Sequence, residues 1–188
     1  MPAFAVMRGG MKLDRYTIVR EAVAVMCEEG LAEVSLRKIA RRFNATAPAL
    51  TRHVGDKGHL LALMSHHLFM GALDEIPPGL KGRDWLHAFG LILWRMQRST
   101  RDVLALIGAR PSVSNLDQEM QAKFLGLLDE AGIGDERGLK AQRSIQALVI
   151  GWNSFATSRS GPVRTTGLAD IDETFEAGLD ALIKGFGY

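Results

Sequence analysis

Between Ser35 and Val54 two short helical runs follow one another across a break of three residues, Asn44-Ala45-Thr46, and this spacing constrains the chain more than any other feature. In the first run, residues 36–43, the side chains of Leu36, Ile39, Ala40 and Phe43 share one face, and the other face is basic. Ser35 can accept from the free amides at its start. In the second run, roughly 47–54, Thr46 stands at the capping position. Pro48 falls in the first turn, where its missing amide leaves no helical bond unmade.

The flanks extend the pattern. From Arg15, the residues Ile18, Ala22, Val25 and Met26 recur at helical spacing, and Gly30 follows Glu28-Glu29 where a left-handed C-cap belongs. Downstream, Gly55-Asp56 breaks the chain and Asp56 can cap a long fourth helix striped by Leu60, Leu61, Met64, Leu68 and Leu73. That helix ends before Pro77-Pro78-Gly79, because Pro78 blocks helical geometry at Pro77. Three short helices with a tight turn between the second and third, followed by a long fourth, form the arrangement in which a third helix lies in a DNA major groove while the second braces it.

Beyond the Pro-Pro-Gly break the periodicity predicts helices at about 84–99, 102–109, 115–131, 139–158 and 170–186, with a Ser/Gly/Pro/Arg loop at 158–166. None of this reads as strand, so the fold class is all-α. The predicted organisation is a disordered tail at 1–11, a helix-turn-helix domain at 12–58, a connecting helix at 59–76 and a larger helical body at 77–188. Hydrophobic residues make up 47% of the chain and aromatic ones only 7%, an aliphatic balance that suits helical packing.

Charge is divided unevenly. Residues 1–60 hold ten Lys/Arg and six Asp/Glu, against thirteen and fifteen in the remainder, so basicity gathers where a nucleic-acid contact would want it. A single cysteine, Cys27, cannot close an intramolecular disulfide, and the N-terminus lacks a secretory pattern. No apolar run approaches the length of a membrane span. A cytoplasmic protein with no membrane partner is expected. His66-His67 point about 100° apart on a helix, and no carboxylate or cysteine stands three or four residues away, so no metal is expected. Neither a nucleophile elbow, a phosphate loop nor an acid–base pair is present, so no enzyme and no cofactor is expected.

The string Leu36-Arg37-Lys38-Ile39-Ala40-Arg41-Arg42-Phe43, then Ala47-Pro48-Ala49-Leu50-Thr51-Arg52-His53-Val54, then Lys57 and Leu60-Leu61, closely resembles the DNA-binding domain of the TetR family of repressors. The resemblance covers about residues 14–64. In the body it is looser: the Trp85 helix, Arg101-Asp102 and Ala109-Arg110-Pro111 look like the tetracycline-repressor branch. Thr51 departs from the pattern, standing where many members carry a tyrosine that packs on the DNA backbone.

The resemblance implies a ligand-responsive transcriptional repressor that binds double-stranded palindromic operator DNA as a homodimer and is released by a small-molecule effector. The alternative is a helical sensor or carrier that does not bind DNA. Lys57, Thr46, Thr51 and His53 are placed to meet phosphates, and Arg37, Ala47, Ala49 and Arg52 to meet base edges. Pro48 belongs to the same recognition turn, while Lys38, Arg41 and Arg42 are expected to add a diffuse field. An effector pocket is expected from Trp85, Phe89, Ile92, Met96, Leu106 and Trp152, and so few polar groups favour an apolar or aromatic ligand. Leu73, Ile92, Met96, Leu106 and Ala109 stand near positions where the tetracycline branch places polar and chelate-binding groups, which argues against a magnesium–tetracycline inducer. Two wide apolar stripes, with Ile145, Leu148, Val149, Trp152 and Phe155 on one and Phe175, Leu179 and Leu182 on the other, are the expected dimer interface. Gly151 and Gly178 are expected to let those helices approach closely.

Overall fold

The computed structural model describes residues 12–157 and 170–188; the tail at 1–11 and the loop expected at 158–166 lie outside them. Among the described residues every regular element is helical. Local signals set the boundaries of the first four. Helix α1 (Arg15–Glu29) opens on a capping box in which the Asp14 carboxylate accepts from the Thr17 amide at 2.9 Å and the Asp14 amide donates to Thr17 Oγ1. A single 3-10 turn, Leu31–Glu33, leads to α2 (Leu36–Arg42), capped by Ser35 through the Lys38 amide. Asn44 turns the chain with a φ of 51°, and α3 (Ala47–Val54) follows with Pro48 in its first turn. Thr46 occupies the N-cap position of α3, but its hydroxyl makes no capping bond. Helix α4 (Lys57–Asp74) is capped by Asp56, whose carboxylate accepts from the His59 amide at 2.8 Å.

The body contributes α5 (Gly82–Ser99), α6 (Val103–Ala109), α7 (Ser114–Glu130), α8 (Glu136–Thr157) and α9 (Ile171–Gly185). Helix α5 runs through its centre, packed on α4, α8 and α9. A Cβ on Gly90 would lie 2.7 Å from the Leu179 methyls, so this glycine is what lets α9 close on α5. A Cβ on Gly151 would meet no atom within 4 Å and one on Gly178 only Trp152 Nε1 at 3.8 Å, so neither glycine serves a close helix contact inside the chain. Trp94 stacks on Phe175 with centroids 4.4 Å apart and donates its indole N–H to Asp172 at 2.8 Å.

Two hydrophobic cores result. The head core joins α1, α2, α3 and the stretch of α4 at residues 60–64, and also takes in Leu106 of α6 and Leu116 of α7. The body core gathers Ala72, Leu73 and Ile76 with the inner faces of α5, α7, α8 and α9. The two cores meet within α4, and Leu106 of α6 and Leu116 of α7, which follow the Pro77-Pro78-Gly79 break, pack into the first of them. Leu106 is thus removed from the predicted effector set: it is fully buried among head residues.

Trp85, Phe89 and Phe124 lie 5.2–6.0 Å apart, and Phe69 closes on Phe124, so aromatic rings fill the middle of the body. Phe89 is 1% exposed. Truncating a ring that is core rather than the wall of an open pocket leaves a cavity, so Phe89→Ala should cost about 3–5 kcal/mol of unfolding free energy, read by urea denaturation. A cost under about 1 kcal/mol would show the ring to be wall instead.

Candidate nucleic-acid interface and effector recess

Helix α3 is held by Leu50 and Val54, both fully buried in the head core. A helix anchored on that stripe must turn the rest of its circumference outward. Thr46, Pro48, Thr51 and Arg52 are exposed, whereas Ala47, Ala49 and His53 are half-buried. Arg37 on α2 and Lys57 at the start of α4 are exposed beside them. One residue the sequence pattern did not single out supports this surface: Arg15 of α1 donates from Nε to the His53 carbonyl at 3.2 Å, tying the end of α3 to the start of α1. Nothing in local spacing signals that contact, because it joins elements far apart in the chain.

Two expectations are corrected by ion pairs. Lys38 does not reach outward; its ammonium lies between Glu29 and Glu33, 2.8 Å from the latter. Arg42 adds no free field either, since its guanidinium pairs with Glu21 and Glu28, each at 2.7 Å, and with Glu29 at 3.0 Å. These pairs press the Lys38 ammonium and the Arg42 guanidinium further toward their charged forms, and the Lys38 ammonium holds the Glu29 carboxyl below the usual carboxylate range. Among the described residues Arg37, Arg41, Arg52 and Lys57 keep no carboxylate partner. Thr51 turns its hydroxyl back to donate to the Ala47 carbonyl at 3.1 Å, so a phosphate contact would have to replace that bond.

The body reaches the head through a short strap. Asp102 sits in the left-handed region at φ 58°, ψ 17°, and its carboxylate accepts from the Leu31 amide at 2.8 Å. Arg101 donates to the Glu28 carbonyl at 3.2 Å, meeting the C-terminal end of α1 where a cation is favoured. Gly30 makes room. Its φ of +103° and ψ of 160° lie outside the left-handed helical cap that the sequence pattern predicts, in a region essentially reserved for glycine. A Cβ there would stand 3.2 Å from both Asp102 Oδ2 and an Arg101 guanidinium nitrogen.

The predicted effector residues do not converge on one cavity. Trp85, Phe89 and Ile92 are buried in the body core, and Trp152 is half-buried against Phe155. Met96 borders a recess of about 310 Å3 between α4 and α5, while Trp85 borders another of about 250 Å3 under the turn at residues 77–80. The dimer set is corrected as well: Ile145, Val149, Phe175 and Leu179 are fully buried inside the chain, with Leu148, Trp152 and Leu182 half-buried and Phe155 47% exposed. The stripes are wide because their inner halves serve the body core, leaving Ala147, Ile150, Gly151 and Phe155 of α8, and Ala177, Ala181 and Gly185 of α9, on the outside.

His66 and His67 diverge as their spacing predicts, His66 toward Glu119 of α7 at 3.4 Å and His67 edge-on to Tyr16 of α1 at 5.6 Å.

Known proteins share this organisation. Residues 18–64 match the family described as "Bacterial regulatory proteins, tetR family". The "HTH-type transcriptional repressor DrrR1" of Streptomyces coeruleorubidus is 27% identical over 172 residues, 86% of this chain and 60% of that protein. The chain spans about 60% of the length of the curated relatives it matches. Apo ActR from Streptomyces coelicolor superimposes with a TM-score of 0.72 at 23% identity, covering 95% of this chain and 96% of that one. A variant of TetR from Acinetobacter baumannii AYE, in complex with minocycline, does so with 0.70 at 24% identity, covering 94% and 97%. The family match covers residues 18–64 of this chain, and the fold is shared with these structures along its length.

Two outcomes follow for the joint between head and body. Gly30→Ala should lose about 1–3 kcal/mol, because alanine resists that backbone region and its methyl crowds the strap; thermal or urea unfolding measures it. Burial, then Arg20 and His66, hold the His67 imidazole below its ordinary value of 6.5. The folded chain therefore binds fewer protons there than the unfolded one, so the contribution is complete above that value and is lost as pH falls below it. Between about pH 7 and pH 5.5 the melting temperature should fall more steeply for the wild type than for His67→Phe.

Proposed function

We propose that this protein is a ligand-responsive transcriptional repressor that binds a palindromic operator as a homodimer and is released by a small apolar or aromatic effector. The observation that carries the reading is the head: α3, pinned inward by Leu50 and Val54, offers its outer face between Arg37, Arg52 and Lys57, cations without a carboxylate partner among the described residues. Phosphate contacts from Lys57, Thr46, Thr51 and His53 set position, and Arg37 and Arg52, with the methyls of Ala47 and Ala49, read bases; Pro48 shapes the turn that presents them. The domain organisation proposed is a DNA-binding head to residue 58, α4 as the connector, and a ligand-binding, dimerising body from residue 77. It acts in the cytoplasm, where operator DNA is found.

Support comes from the relatives. One is named a repressor, ActR has also been solved in complex with actinorhodin and with (S)-DNPA, and the Acinetobacter TetR variant holds minocycline. Dimerisation rests on the outer faces of α8 and α9, where Ile150 is 41% and Phe155 47% exposed beside small residues that would let two such helix pairs close into a four-helix bundle. Half-sites one or more helical turns apart then match a two-fold protein.

Selection of bound sites from duplex libraries, followed by affinity measurement at several salt concentrations, tests the reading. Arg37→Ala or Arg52→Ala should cost about 1–3 kcal/mol and relax preference at one base position. Lys57→Ala should weaken binding to all sequences and reduce the salt slope by about one. Lys38→Ala, whose ammonium is held by Glu29 and Glu33, should leave sequence preference unchanged. A protein that shows no salt-dependent affinity for any duplex overturns the reading.

A further inference from the structure

The recess between the second half of α4 and the end of α5 has an apolar floor of Leu68, Ala72 and Met96. Gly71 lines it too, and packing does not explain that glycine. It lies inside α4, where glycine weakens a helix relative to alanine. A Cβ built on it would meet no atom within 4 Å, so its lack of a side chain brings no other element of the chain closer. The lining of the recess therefore carries no side chain at this position.

The rim is rich in hydrogen-bond donors. Arg95 has no carboxylate within ion-pair distance among the described residues, and the Thr100 hydroxyl makes no hydrogen bond there. His67, whose imidazole burial holds below its ordinary value, adds an N–H. Glu75 is the only carboxylate among the lining residues. The recess volume of about 310 Å3 lies at the small end of the range for ligand pockets.

Resting on the reading of the body as an effector-binding unit, we infer that this recess is the effector site and that it takes a small organic anion, with a flat apolar body over Leu68, Gly71 and Ala72 and its acidic group turned to Arg95. The position suits a signal. The recess ends at Thr100, and the next two residues, Arg101 and Asp102, are those that grip the end of α1. A ligand lodged there touches both α4 and the root of the strap.

The test uses the full chain and two fluorescent probes with one aromatic body, the anion 8-anilinonaphthalene-1-sulfonate and the neutral N-phenyl-1-naphthylamine. The sulfonate should bind saturably, and Arg95→Ala should weaken it about tenfold, as expected for losing one charge-assisted hydrogen bond, while the neutral probe binds both proteins alike. Gly71→Leu, which fills the recess from open space, should abolish binding of both probes, with a melting temperature at or above wild type showing that the fold is kept. Unchanged sulfonate affinity in either variant overturns the inference, and Arg95→Ala decides alone should Gly71→Leu fail to fold. Duplex DNA binding is scored separately. Probe binding with this mutational pattern but no DNA binding removes the repressor reading and keeps the site; DNA binding with probes indifferent to Gly71 and Arg95 does the reverse.

Discussion

Everything in this molecule hangs on α4 belonging to two cores at once. Its first turns, Leu60 to Met64, are buried among α1, α3 and α6, and its last, Ala72 and Leu73, among the aromatics of the body. Interiors packed at crystal-like density do not yield continuously, so the helix cannot tilt at one end without repacking the other. The Arg101–Asp102 strap supplies a second tie, fixed to the carbonyl end of α1 and to the amide that follows it. Head and body are therefore coupled through two connections that lie side by side, and the recess between α4 and α5 borders both.

The electrostatics of the head obey a similar logic of placement. Helix α1 carries Glu21, Glu28 and Glu29 on the side that meets α2, and these absorb Lys38 and Arg42. Such exposed pairs add little stability each. Their larger effect is to choose which cations stay free among the described residues: Arg37 and Arg41 on α2, Arg52 on α3 and Lys57 on α4. In the proposed function this choice narrows a diffuse basic helix to a few groups able to meet phosphate or base.

Helix boundaries were legible in the sequence because they are written in local chemistry. Asp14, Ser35 and Asp56 cap through bonds to amides three residues on, Pro48 opens α3, and Pro77 and Pro78 follow the end of α4. What stayed hidden depends on which elements cross. Periodicity reports the width of an apolar stripe, but does not say which neighbour takes which part of it. For that reason Leu106 looked like a pocket residue when it completes the head, and Ile145, Val149, Phe175 and Leu179 looked like an interface when they face their own core. The pairing of Lys38 and Arg42 with α1 is invisible for the same reason, since it arises only once α2 is laid across α1.

Asp102 also fixes the scale on which the joint can respond. A non-glycine residue in the left-handed region costs of order 1–3 kcal/mol unless its surroundings hold it there. Here the holding group is its own carboxylate, accepting from the Leu31 amide, with Gly30 shaped to admit it. Coupling between an effector and a DNA site typically amounts to about 1–3 kcal/mol. One hydrogen bond to a charged group is worth about as much, so in the proposed function a ligand that displaced Thr100 far enough to break the Asp102–Leu31 bond would supply coupling of that size.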